Sequence, residues 1–277
     1  MENGIESVAR VVSGQKNRLL GEEGCAQMID IHTHILPTVD DGANSFEEAL
    51  DMVAMAAQSG VQALVLTPHS NHDVGYVNYE SEHLAALFAK LCTMVKEAQI
   101  PIKLFRGMEL WASTDIVDKL SYGKLLTLNR TRYALVEFAF DEEPWWIEAI
   151  LREMILGGYM PIIAHPERYH CVQEEPNHLY EWRKMGAFAQ LNKESILGRL
   201  GRHTAGIAEL LLKHNLFNCV ASDAHHAYVR TTDMTELNRY MEKNFPLGYR
   251  ELLLCDNPSA ILEGRELKLA RNFRRID

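Results

Sequence analysis

The chain has 277 residues, 47% of them hydrophobic and 24% charged, with a formal net charge of −10. That apolar content suits one α/β domain, and an acidic surface without a long basic stripe argues against a nucleic-acid backbone as partner. Cys25, Cys92, Cys171, Cys219 and Cys255 are five, an odd number with no CxxC pair, which argues against disulfides and for a reducing, cytoplasmic setting.

Residues 1–27 carry Glu2, Glu6, Arg10, Lys16, Arg18, Glu22 and Glu23 with no continuous apolar core, so they read as neither a signal peptide nor a membrane span. They are expected to form an extension ahead of a single domain at 28–277, with Met28 a candidate start of the folded part. No segment elsewhere suggests membrane insertion, and the oligomeric state stays open.

Met28-Ile29-Asp30-Ile31 reads as the first strand. Ser45-Phe46-Glu47-Glu48 has the Ser-x-x-Glu form of a capping box, and Phe46, Ala49, Leu50, Val53 and Ala57 follow at helical spacing until Gly60. Strand and helix then alternate: a strand over 61–67, a helix over 80–98, a strand over 101–106, and a strand over 133–138 followed by a helix from Pro144 to Leu156. Next come a strand over 159–164, a helix from Asn177 to Met185, and strands over 187–192 and 216–222. About seven strands in this alternation predict a parallel sheet. A barrel explains why polar residues gather after the strands, because the C-terminal face of a (β/α) barrel carries the chemistry; an open doubly wound sheet would spread them along a line.

Those polar residues are of one kind. His32-Thr33-His34 follows the first strand, and its alternation puts both imidazoles on one side of an extended chain. Asp40-Asp41-Gly42 comes next, though a simple turn accounts for it equally. His69, Glu109, Glu137 and His165 lie at or just past later apolar runs, and Asp223 and His225 follow the last. A carboxylate between apolar residues, as in Val136-Glu137-Phe138, is costly to bury without a counter-charge. Histidine and carboxylate at separate strand ends, with no cysteine, form a set suited to Zn, Mn or Fe in a catalytic, multinuclear site. His72, His83, His178 and His214 lack such neighbours and read as packed or surface residues.

The segments Asp30-Ile31-His32-Thr33-His34, Asp41-Gly42, Thr67-Pro68-His69, Gly107-Met108-Glu109-Leu110, Val136-Glu137-Phe138, Ala164-His165-Pro166-Glu167-Arg168-Tyr169 and Ser222-Asp223-Ala224-His225 resemble, in order, the polymerase and histidinol phosphatase (PHP) superfamily. Within it they are most similar to the bacterial CpsB/YwqE-type tyrosine-protein phosphatases, from about Met28 to about Leu262. The resemblance implies a distorted (β/α)7 TIM-like barrel holding three divalent metal ions, with manganese the first expectation and Fe, Co or Zn also suited. It carries ligand roles onto His32, His34, Asp41, His69, Glu109, Glu137, His165, Asp223 and His225, and phosphate-binding roles onto Arg168 and Arg230. The stretch Ala227-Tyr228-Val229-Arg230 lacks the Gly-Pro-Arg wording often seen there, so Arg230 is aligned by spacing alone. The implied substrate is phosphotyrosine on the tail of a bacterial tyrosine autokinase that controls capsule or exopolysaccharide synthesis.

Clustered divalent ions lower the pKa of water and hold phosphoryl oxygens, so in-line hydrolysis of a phosphomonoester is the natural chemistry, with His225 a candidate proton donor. Thiol catalysis would need a Cys in a phosphate-cradling loop ending in Arg, and no C-x5-R follows Cys171. The competing readings are a histidinol-phosphatase-type small-molecule phosphomonoesterase, a nuclease-like relative and a non-catalytic metal-binding regulator of the kinase. The tail with Arg271, Arg274 and Arg275 reads as a solvated helix end or a contact for anionic partners. Trp111, Tyr122, Trp145 and Trp146 are assigned no role.

Overall fold

The computed structural model describes residues 27–72, 75–268 and 272–277, in which parallel strands alternate with helices and close into a distorted (β/α)7 barrel. The first stave is β1 (Met28–Thr33). Two of the seven expected staves are each broken in two. Val61–Leu66 (β2) and His69–Ser70 (β3) are separated at Pro68, which has no N–H to give to a ladder, and Lys103–Arg106 (β4) and Glu109–Trp111 (β5) are separated at Gly107. The remaining staves are β6 (Tyr133–Glu137), β7 (Met160–Ala164), β8 (Phe188–Asn192) and β9 (Cys219–Ala221).

Three strands pair in the order β1-β2-β4 and six in the order β3-β5-β6-β7-β8-β9, all in parallel. The seam between β9 and β1 is closed by the bridge Thr33 to Ala224, with His34 N donating to Ala224 O at 2.8 Å and Asp223 N to His32 O at 3.0 Å. On the other side, β4 does not pair with β6, and a single turn over Leu128–Arg130 packs beside the opening. Gly107 fits closely there, since a Cβ on it would stand 2.8 Å from Leu128 Cδ2 and 3.0 Å from Val65 Cγ1, so those side chains would have to shift.

Strand alternation sorts the core. Val65, Tyr133, Leu135, Ile162 and Ala164 share one cluster inside the barrel, floored by Ala260, Ile261 and Leu262, while Leu64, Leu66, Ala134, Val136 and Ile163 pack outward under the helices. Continuing the inward parity to the top of β6 and β8 delivers Glu137, Gln190 and Asn192 to the C-terminal mouth.

The helix α1 (Phe46–Gln58) starts where expected, with Ser45 Oγ accepting from Glu48 N at 3.2 Å. The reciprocal half of the capping box is shifted: Glu48 accepts from Asn44 N at 2.8 Å and stands 3.1 Å from His226 Nδ1. Helix α2 (Glu82–Glu97) begins after the expected Glu80 because Ser81 caps it, which leaves Glu80 to pair with both Arg106 Nη atoms at 2.9 and 2.5 Å. Pro144–Leu156 and Asn177–Met185 have the bounds read from the sequence.

The described part of the C-terminal tail, residues 272–277, is not helical. Residues 272–277 run without regular structure across the molecule, with Arg274 N donating to His214 O at 2.9 Å and Ile276 exchanging bonds with the Asn177 side chain at 2.9 and 3.0 Å. Arg275 reaches Glu181 at 3.3 Å; Arg271 and residues 1–26 lie outside the described residues. Among the described residues no helix is long and apolar enough to cross a membrane.

Candidate metal centre

At the mouth, His32 and His34 stand within touching distance, their Nε2 atoms 3.2 Å apart. Each ring is oriented from behind. His34 Nδ1 lies 2.8 Å from Asp40 Oδ2, and His32 Nδ1 lies 2.9 Å from Gln190 Oε1. A carboxylate or amide oxygen only accepts, so each Nδ1 carries a proton and, in the neutral rings, both Nε2 atoms present lone pairs to the same space.

Carboxylates close in around them. Glu109, fully buried at the start of β5, places Oε1 3.2 Å from His32 Nε2 and Oε2 3.2 Å from His34 Nε2. Glu109 Oε2 also lies 3.0 Å from His69 Nδ1, yet no hydrogen bond of acceptable geometry satisfies this buried oxygen. Asp223 Oδ1 lies 3.5 Å from both His32 Nε2 and His34 Nε2. Glu137 meets His69 at 3.6 Å and His165 at 3.4 Å, and Asp41 meets His69 at 3.5 Å and His225 at 3.6 Å. Three overlapping groups, His34-Asp41-His69-His225, His32-His34-Glu109 and His69-Glu109-Glu137, each keep their donor atoms within 4.8 Å of one another. His165 and Asp223 flank them, so all nine residues singled out in the sequence converge on one mouth.

The electrostatics match that geometry. Burial alone would hold His32 and His34 neutral, but Glu109 and Asp223 outweigh it at His32, and Asp40 with Asp223 and Glu109 at His34, so both are raised. Burial and then the neighbouring Glu109 push Glu137 up to about 8. Burial takes His165 down to about 4, and burial, His34 and Arg230 take His225 down to about 2. His225 Nδ1 lies 2.9 Å from the Asp223 carbonyl and is the protonated nitrogen, so its Nε2 offers a lone pair. That lone pair is suited to a cation. Converging lone pairs, an unsatisfied buried carboxylate oxygen and an all-nitrogen-and-oxygen donor set fit divalent metal ions.

Two arginines sit on the rim, both against Asp223 Oδ2: Arg230 Nη2 at 2.6 Å and Arg168 Nη1 at 3.7 Å. Asn192 Nδ2 donates to the same oxygen at 2.5 Å. Arg168 stacks its guanidinium on Phe140, 4.3 Å from the ring centroid. His165, Asp223 and Arg230 all have left-handed backbones, with φ of 33°, 50° and 48°, a strained conformation for such residues that the surrounding bonds must hold. Beneath the Arg230 loop, buried Lys193 donates to Asp233 O at 3.0 Å and to Thr231 O.

Sequence reasoning missed the supporting residues. Asp40, treated as part of a turn, orients His34 and also accepts from His69 N at 2.9 Å. Gln190 and Asn192 had a detectable signal, polar residues at the two upper inward-facing positions of an otherwise apolar strand. Cys171 is no nucleophile: burial pushes its thiol up to about 11.

Residues 28–263 match the family described as capsular polysaccharide synthesis, CpsB/CapC. The tyrosine-protein phosphatase YwqE of Bacillus subtilis (strain 168) is 36% identical over 244 residues, covering 87% of this chain and 93% of that protein. The tyrosine-protein phosphatase CpsB of Streptococcus pneumoniae is 30% identical over 85% of this chain and 98% of its own length. A chain from the crystal structures of those two proteins, described as unique metal-dependent tyrosine phosphatases, superposes with a TM-score of 0.81 at 32% identity, over 87% of this chain and 96% of its own. The phosphotriesterase homology protein of Escherichia coli, at 11% identity and a TM-score of 0.56 over 86% of this chain and 99% of its own, shares the fold alone.

Proposed function

The chain belongs to the CpsB/CapC family of capsular polysaccharide synthesis, and on that premise we propose that it is a metal-dependent protein-tyrosine phosphatase. The observation that carries the reading is the convergence of the His32 and His34 lone pairs with Glu109 and Asp223, directly beneath two arginines. The residues that would hold the ions are His32, His34, Asp41, His69, Glu109, Glu137, His165, Asp223 and His225, in a set of three divalent ions with manganese first. Such ions supply an activated water and positive charge for phosphoryl oxygens.

The protein's own residues do the rest. Arg168 and Arg230 bind the non-bridging oxygens of a phosphate and stabilise the charge that builds there in the transition state. Asp223 Oδ2 keeps both guanidiniums aimed at the mouth before substrate arrives. A phenol leaving group, with a reference pKa of about 10, departs more readily than an alkoxide, which suits a site where burial holds His165 and His225 as bases. The substrate is taken to be phosphotyrosine on the tail of a bacterial tyrosine kinase of capsule or exopolysaccharide synthesis, in the cytoplasm.

A substrate panel tests this: phosphotyrosyl peptide, histidinol phosphate and single-stranded DNA offered to the metal-loaded protein. Turnover confined to the peptide is the expected result. Turnover confined to histidinol phosphate moves the protein to small-molecule metabolism, and kinase binding without any turnover makes it a regulator.

A further inference from the structure

His69 and His165 address opposite oxygens of the same two carboxylates. His69 Nδ1 faces Oε2 of Glu109 and of Glu137, at 3.0 and 3.6 Å, while His165 Nε2 faces Oε1 of each, at 3.1 and 3.4 Å. The two imidazoles therefore stand on opposite flanks of the centre, and each carries an aromatic ring. Tyr76 lies nearly parallel to His69, with ring centroids 5.8 Å apart and planes at 13°. Phe140 meets His165 edge-on at 5.9 Å and remains 36% exposed.

The backbone that carries each ring is tied down. Backbone bonds from Asn71 N to Val77 O and from His72 N to Tyr76 O fold the Tyr76 segment back on itself. Asn78 Nδ2 ties it to Val39 O at 2.7 Å and to His69 O at 2.8 Å. The carbonyl of Phe140 accepts from His170 N at 2.7 Å. Aromatic rings set beside His69 and His165 suit a substrate whose phosphate is attached to a planar ring.

We propose that Tyr76 and Phe140 are specificity-determining residues that clasp the aryl ring of an aryl phosphate, one from the His69 side and one from the His165 side. This names the ring-recognition element of the phosphatase reading and rests on it for the identity of the substrate. It also explains an apolar side chain left exposed beside an arginine and the candidate metal centre: Phe140 carries the Arg168 guanidinium over its ring and stays partly exposed.

The test is binding, measured by calorimetry on the metal-loaded protein with phenylphosphonate and methylphosphonate, which share a phosphoryl head and differ in the ring. The wild-type protein is expected to prefer phenylphosphonate by about tenfold. Tyr76→Leu and Phe140→Leu, which keep apolar volume but remove the ring, should each reduce that preference severalfold, and Tyr76→Phe and Phe140→Tyr should keep it. If the Leu variants weaken both ligands in equal proportion, the rings serve only to support His69 and Arg168, and the proposal is wrong. Equal affinity of the wild-type protein for the two phosphonates would also overturn it, independently of whether a phosphotyrosyl peptide is hydrolysed.

Discussion

The Nε2 atoms of His32 and His34 face each other at 3.2 Å, each ring fixed from behind by an acceptor on its Nδ1. Two neutral imidazoles so oriented repel through their lone pairs, and two protonated ones repel through their charges. A cation between them relieves both, and the carboxylates of Glu109 and Asp223 converge on the same point. Without an ion a single proton shared between the two rings relieves the repulsion, and a divalent cation would do so while also satisfying both carboxylates.

Asp40 holds His34 in this geometry, so Asp40→Asn should leave the fold intact and weaken metal binding by about 10- to 100-fold, the usual effect of losing an outer partner of a ligating histidine. Titration with Mn(II) followed by calorimetry measures this. An unchanged affinity would mean that His34 is oriented by packing alone.

Gly42 is needed for a different reason. A Cβ there would stand 2.0 Å from His34 O, and no flexible side chain is available to give way. Gly42→Ala should displace His34, lower stability by about 1–3 kcal/mol and reduce metal content. A variant with wild-type melting temperature and metal stoichiometry would contradict the contact.

Metal uptake should release protons. Glu137 is pushed up to about 8, so at pH 7 the metal-free protein carries a proton there that a cation must displace, and His32 and His34 are raised in the same direction. The sign is definite: apparent affinity rises with pH through this range. Calorimetry in buffers of different ionisation enthalpy reads the proton count directly, and a count of zero at pH 7 would show that these groups are already deprotonated.

Cys171→Ser should leave turnover within about twofold of wild type, because a thiol pushed up to about 11 is protonated at neutral pH and is no nucleophile. Loss of activity in this variant, with the fold retained, would reopen the thiol route.

The barrel and its centre were legible to different depths. Seven apolar runs with His, Asp or Glu at their ends announced parallel staves and a common mouth, because burial forces apolar residues inward and leaves chemistry to the strand ends. The continuations past Pro68 and Gly107 were hidden, since His69–Ser70 and Glu109–Trp111 are too short to show a strand pattern of their own. Asp40 looked like turn chemistry, as its partner His34 is six residues away and met only through the loop. Lys193, almost wholly buried under the Arg230 loop, reads in sequence as an ordinary surface lysine. Its partners are the carbonyls of Thr231 and Asp233, which no residue pattern reports. The described part of the arginine tail was not legible because its partners, the Lys213 carbonyl, Asn177 and Glu181, lie far away in the sequence.

The most direct measurement is phosphate release from a phosphotyrosyl peptide by the Mn-loaded protein, before and after EDTA, after metal is restored, and in Arg168→Ala. The account predicts turnover that EDTA abolishes, that added metal recovers, and that falls by two orders of magnitude or more in the variant, about 2.7 kcal/mol of transition-state stabilisation. Turnover that survives complete metal removal would contradict it.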